Sequence, residues 1–122
     1  RVSFLNYVPN AKKYFKYFHL LLFTSEWEGL PLTIWEAMYY GVPIVSSDVG
    51  GIKEIIEGEN CGIIYPFGDI KTCSDIIIDL YNDREKLKQL GENGQKAFLE
   101  KYKENHFKDI FENLYRDLIN EK

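Results

Sequence analysis

The chain has 122 residues, 45% of them hydrophobic and 16% aromatic, which is enough apolar material for one packed domain and excludes global disorder. Its 15 Lys and Arg against 19 Asp and Glu leave a net charge of −4, the wrong sign for a phosphate-backbone binder, so nucleic acid is not an expected partner. No apolar run approaches the ~18–20 residues of a membrane-spanning helix.

Cys61 and Cys73 have neither CxxC spacing nor a nearby His cluster and read as buried thiols. No leader pattern opens the chain, and Arg1-Val2-Ser3-Phe4-Leu5 already lies inside an extended apolar pattern. The expectation is a cytoplasmic segment, residues 1–122 forming a single truncated domain of a longer protein.

Val2-Ser3-Phe4-Leu5 has the β-branched and aromatic character of a short strand, closed by Asn6-Tyr7-Val8-Pro9. Asn10 is a good N-cap for a helix running through Phe18, with Ala11, Tyr14, Phe15 and Phe18 on one stripe and Lys12, Lys13 and Lys16 opposite. That lysine face reads as solvated. Leu20–Phe23 is a continuous apolar run, the mark of a strand buried on both faces. Pro31 suits the first turn of the next helix, Gly41 follows its last residue and Pro43 prevents continuation. Val42–Ser47 is a further buried strand, Ile52–Glu57 a short helix stopped by Gly58, and Gly62–Tyr65 a fourth strand. Asp69 caps a helix with Cys73, Ile76, Ile77 and Leu80 on one stripe, and Asp83 opens another segment. A last helix spans about 105–119, with Phe107, Ile110, Phe111, Leu114, Tyr115 and Leu118 at helical spacing. Strand–helix alternation of this kind makes an α/β fold, a Rossmann-like parallel sheet with helices on both faces. Ligands of such sheets bind beyond the carboxyl ends of the strands.

The loop Glu28-Gly29-Leu30-Pro31-Leu32-Thr33 therefore carries the most information. Amide N–H groups at a helix start, with Gly29 allowing close approach, make an anion site without any positive side chain. Thr33 adds a hydroxyl. Glu36, three residues on, shares its helix face and would accept hydrogen bonds from neutral hydroxyls such as a ribose diol. Glu28 could likewise accept from sugar hydroxyls or steady a cationic transition state. The plain alternative is two solvated carboxylates flanking a helix start, where acids favour the dipole in any case.

Beyond spacing, the ordered set Glu28-Gly29-Leu30-Pro31-Leu32-Thr33-Ile34-Trp35-Glu36-Ala37-Met38, Gly41-Val42-Pro43-Ile44-Val45, Ser47-Asp48-Val49-Gly50-Gly51-Ile52-Lys53-Glu54 and Gly62-Ile63-Ile64-Tyr65-Pro66 closely resembles the Glu-x7-Glu signature of retaining GT-B glycosyltransferases of family 4. The resemblance covers nearly the whole chain in order. It implies part of the C-terminal, nucleotide-sugar-binding domain of such an enzyme, with the last helix packing back toward an N-terminal acceptor domain. It implies Glu28 at the donor sugar as the catalytic residue, Gly29, Leu30, Pro31, Leu32 and Thr33 around the diphosphate, and Glu36 on the ribose. Asn6, Tyr7 and Val8 would meet the base through backbone groups. The family usually has Gly where Asn6 stands, and Asn is the residue next most tolerant of positive φ.

The activity implied by this resemblance is transfer of a sugar from a nucleotide diphosphate sugar to a glycan, lipid or protein acceptor, with retention and without a metal or other cofactor. The location would be cytoplasmic, compatible with peripheral association at the inner face of a membrane. The family's basic phosphate-binding pair and its acceptor domain have no counterpart in these residues, so the segment alone is expected to be inactive. The rival readings are a nucleotide- or sugar-binding module without chemistry and a donor-binding subunit of a split enzyme.

Overall fold

The computed structural model describes residues 2–102. Three parallel strands, β1 (Leu21–Phe23), β2 (Ile44–Ser47) and β3 (Gly62–Tyr65), lie in sequence order, with Leu22 level with Val45 and Val45 level with Ile63. The helices α1 (Leu32–Tyr39) and α2 (Ile52–Gly58) connect them, and α3 (Ile70–Asn82) and α4 (Arg84–Lys101) follow.

The central strand shows why the sheet needs cover on both sides. All four residues of β2 are buried, and alternation sends Ile44 and Val45 to opposite faces. Ile44 joins Ile34, Ala37 and Met38 of α1 and Ile52 and Ile56 of α2 in one core. Val45 joins Tyr65, Leu90 and the Cys73 and Leu80 of α3 in the other. Because α4 contributes Leu90 to one core and Ala97 to the other, it ties the two layers together. Fully burying an Ile or Leu stabilises by roughly 1.5–3 kcal/mol, so these two small cores hold the sheet.

Helix ends follow local chemistry. Gly41, at φ +68°, ends α1, with the Gly41 amide donating to Met38 O and the Val42 amide to Ala37 O. At the end of α2 the expected stop at Gly58 is corrected. Gly58 is the last helical residue, and Asn60, at φ +48°, makes the left-handed turn, the Cys61 amide donating to Ile56 O. Asp69 and Asp83 cap α3 and α4 as expected from the sequence, accepting from the Thr72 and Lys86 amides at 2.9 Å each.

Two expectations fail near the start of the chain. Val2–Leu5 forms no strand; Val2, Phe4 and Leu5 are 79%, 89% and 76% exposed, so neither face of the segment is covered. Strand propensity is realised only where a ladder partner and a packing surface exist, and here there is neither. Residues Ala11–Tyr17 form a 3-10 helix rather than an α-helix. Asn10 sits at φ +53° and so lacks the extended backbone of an N-cap, and its side chain makes no cap bond. The three-residue repeat breaks the expected stripe, leaving Tyr14 and Phe18 more than two-fifths exposed while only Phe15 is buried, against Tyr40. The helix expected over about 105–119 lies outside the described residues.

Candidate active site

Two loops leave the carboxyl end of the sheet side by side, residues 24–31 after β1 and 48–51 after β2. They are locked together. Gly50 adopts φ +53° against the backbone of the first loop, and a Cβ there would lie 2.1 Å from Glu28 O and 2.8 Å from Gly29 O. The Gly51 amide points to Gly29 O at 3.4 Å. Beneath them the buried Ser47 hydroxyl donates to Ser25 O at 2.7 Å. From β3, the Tyr65 hydroxyl donates to Phe23 O at 3.0 Å, fixing the last residue of β1. Burial, together with the Cys73 thiol beside it, pushes the Tyr65 hydroxyl pKa up to about 12, so it remains a donor at any physiological pH.

Glu28 sits on this base, and Glu36 follows in α1. Glu28 is half-buried in the loop before α1, its Oε1 accepting from the Ser25 hydroxyl at 2.9 Å. Glu36 is half-buried in the second turn of α1 and lines an open groove of about 460 Å³ with Lys12, Leu32, Trp35 and Tyr39. Between them is the start of α1. Pro31 takes the capping position rather than the first turn and brings no N–H, no side chain caps the helix, and the first turn holds no acid. The amides of this turn are thus left to solvent or a ligand, apart from that of Ile34, which donates to Pro31 O. Leu30 and Leu32 are exposed, Thr33 is half-buried, and a Cβ at Gly29 would meet nothing within 4 Å, so the space beside Gly29 is open.

Asn6 does adopt φ +54°, the left-handed conformation that favours Gly, but Tyr7 is 87% exposed. No hydrogen bond among the described residues joins Asn6, Tyr7 or Val8 to the Glu28 loop or to α1. A second cleft, of about 390 Å³, opens beyond β1 and β3 on the α3 side, with Thr24, Tyr65, Phe67 and Ile70 in its walls.

Ser25, Ser47, Gly50 and Tyr65 as a supporting frame were not legible as such. Ser25-Glu26-Trp27-Glu28 has the S-x-x-E spacing of a capping box, the one local signal available, yet no helix begins there. From sequence Gly50 reads as a turn residue before a helix or as a neighbour of the donor sugar, not as the close contact that locks the Glu28 loop.

Comparison with known proteins agrees with this architecture. The profile of the glycosyl transferases group 1 family matches residues 1–97. The chain is 31% identical over 119 residues to the N-acetyl-alpha-D-glucosaminyl L-malate synthase of Bacillus anthracis, covering 98% of this chain and 31% of that enzyme. It is 33% identical to a lipopolysaccharide core biosynthesis mannosyltransferase of Rhizobium meliloti, covering 77% of this chain and 27% of the relative. Its fold matches sucrose-phosphate synthase of Thermosynechococcus elongatus with a TM-score of 0.79 at 25% identity, over 89% of this chain and 27% of that one. The chain thus spans less than a third of the length of these relatives. With the family profile covering most of its length and its parallel sheet superimposing on part of a GT-B enzyme, the chain belongs to the glycosyl transferases group 1 family.

Proposed function

We propose that this chain is the donor-binding part of a retaining, family 4 glycosyltransferase that moves a sugar from a nucleotide diphosphate sugar to an acceptor hydroxyl. The observation that carries the reading is the start of α1: a helix terminus with no side-chain cap and no acid in its first turn, set between two half-buried carboxylates at the carboxyl end of a parallel sheet. The amides of Gly29, Leu30, Leu32 and Thr33, with Pro31 shaping the turn, would hold the diphosphate and stabilise the charge that grows on it as the glycosidic bond breaks, a preorganised electrostatic role. Glu28 would face the donor sugar, accepting from its hydroxyls and steadying the cationic character of the anomeric carbon. Glu36 would take the ribose diol in the groove it lines, and backbone groups of Asn6, Tyr7 and Val8 would meet the base. The names of the relatives, an N-acetyl-alpha-D-glucosaminyl L-malate synthase and a lipopolysaccharide core biosynthesis mannosyltransferase, favour a hexosyl donor and a role in polysaccharide or glycoconjugate synthesis. A glycan, lipid or protein acceptor would be held by the remainder of the full-length enzyme, working in the cytoplasm or at the inner face of a membrane. No metal is required in this scheme.

The test is calorimetric titration of the full-length protein with UDP and GDP, alongside transfer rates. Hydrogen bonds to a charged group contribute about 1.5–3 kcal/mol each, so Glu36→Ala should weaken nucleotide binding about a hundredfold or more. Glu28→Ala should leave that affinity nearly intact and remove most of the transfer. Equal losses of nucleotide affinity in both variants, or none in either, would return the pair to ordinary helix-terminus acids. Nucleotide binding without transfer in the unaltered full-length protein would instead make it a binding module.

A further inference from the structure

We infer that Ser25 is a positioning residue for Glu28, holding its carboxylate toward the donor sugar from a mount on the central strand. The inference rests on the role proposed for Glu28 at the donor sugar. The Ser25 hydroxyl donates to Glu28 Oε1 at 2.9 Å, and no other hydrogen bond to that carboxylate exists among the described residues, which leaves Oε2 for a substrate hydroxyl. A glutamate on a loop would otherwise lose rotamer freedom on meeting its substrate, at a cost that falls on catalysis. Ser25 can restrain it because Ser25 is itself restrained. Its carbonyl accepts from Ser47 at 2.7 Å, and Ser47 is fully buried at the end of β2. The chain of contacts runs from the sheet through Ser47 to the Ser25 backbone, and from the Ser25 hydroxyl to the carboxylate. Gly50 closes the loop from above by admitting the Glu28 and Gly29 carbonyls where any Cβ would collide. The S-x-x-E spacing is ordinarily a helix-capping device, but here the bond is side chain to side chain and α1 begins only at Leu32. Orienting Glu28 is the remaining use of that bond.

A merely structural serine would affect folding or nucleotide binding regardless of what stands at position 28. A positioning serine acts only through Glu28. The experiment compares the full-length protein with Ser25→Ala, Ser25→Thr, Glu28→Gln and the Ser25→Ala/Glu28→Gln double variant. Release of nucleotide diphosphate from UDP-N-acetylglucosamine and from GDP-mannose is followed, together with UDP and GDP affinity. The expected result is a fall in kcat of about tenfold for Ser25→Ala, the loss of one hydrogen bond to a charged group, with nucleotide affinity unchanged. Ser25→Thr should recover most of the rate, and Ser25→Ala should cost nothing further in the Glu28→Gln background. Additive losses in the double variant, a loss of nucleotide affinity, or a wild-type kcat for Ser25→Ala would each overturn the role of Ser25 while leaving Glu28 in place. A wild-type rate for Glu28→Gln, or no release from either donor by the unaltered protein, would instead overturn the role of Glu28 and this inference with it.

Discussion

At the start of α3, Asp69 accepts from both the amide and the hydroxyl of Thr72, at 2.9 and 2.7 Å, and those contacts hold its carboxyl below the usual carboxylate range. At the start of α1, on the other face of the same sheet, Pro31 occupies the equivalent position and no side chain makes a cap bond. Both helices begin just beyond the carboxyl end of a strand, so both present the positive end of a dipole there. One has been closed by a residue of the chain itself, and the other has been left open. A sequence that caps α3 and α4 with Asp had the means to cap α1 as well. An uncapped terminus costs stability on the order of 1 kcal/mol, and a ligand whose anionic oxygens accept from the free amides recovers it.

That contrast can be broken or sharpened by substitution. The largest effect is expected from Gly50→Ala, which forces a Cβ against Glu28 O at a left-handed φ. Overpacking and backbone strain together should destabilise by roughly 3 kcal/mol and move the Glu28 loop, seen as a lower Tm and lost transfer in the full-length protein. Next comes Pro31→Asp, which gives α1 the cap that α3 has. It should raise stability by about 1 kcal/mol while weakening UDP or GDP binding about tenfold, because the new carboxylate competes for the same amides. Unchanged nucleotide affinity in that variant would show that the α1 terminus is not where the diphosphate sits. Asp83→Ala is the control at a closed terminus, removing the bond from the Lys86 amide. A loss of about 1 kcal/mol in urea unfolding with no change in nucleotide binding is expected.

The smallest effect concerns acid. Glu59, at the end of α2, accepts from Lys101 Nζ at 2.8 Å and from the Tyr102 hydroxyl at 2.8 Å, and the Lys101 bond leads in lowering its pKa below the ordinary 4.5. Protonating Glu59 is therefore harder in the folded chain than in the unfolded one. Its contribution is fully present above about pH 4.5 and fades as pH falls through the lower folded value. Lys101 is half exposed, so the pair contributes no more than about 1 kcal/mol. Glu59→Gln should flatten the acid limb of a stability–pH curve below pH 4.5 and leave nucleotide binding untouched.

Local chemistry and period decided much of this protein in advance. The strands expected at Leu20–Phe23 and Val42–Ser47, the Asp caps and Gly41 each rest on a few neighbouring residues, so β1, β2 and the ends of three helices are readable without knowing what lies opposite, although β1 is not buried on both faces as expected, its Leu22 being 43% exposed. The Glu28 to Glu36 segment lies within one loop and one helix turn, but its spacing fits two solvated helix-terminus acids equally well, so it stood out only through its ordered resemblance to a family motif. Tertiary structure decided whatever depends on a partner distant in sequence. Val2–Leu5 has strand residues but no ladder to join, and Tyr14 and Phe18 have an apolar stripe but no surface that accepts it. Gly91 and Gly94 look like helix breakers, yet α4 runs through both. A Cβ at Gly91 would lie 2.2 Å from Gly41 O, and one at Gly94 would lie 3.0 Å from the Cys61 side chain, so close packing on α1 and the sheet outweighs their weak helix propensity. The frame of the candidate site belongs to the same class, because Ser47 meets Ser25, Gly50 meets Glu28 and Tyr65 meets Phe23 only once three strands lie in register. Sequence alone determined the local elements and, through its family resemblance, which residues are proposed to carry the chemistry; only the register of the sheet determined what holds them still.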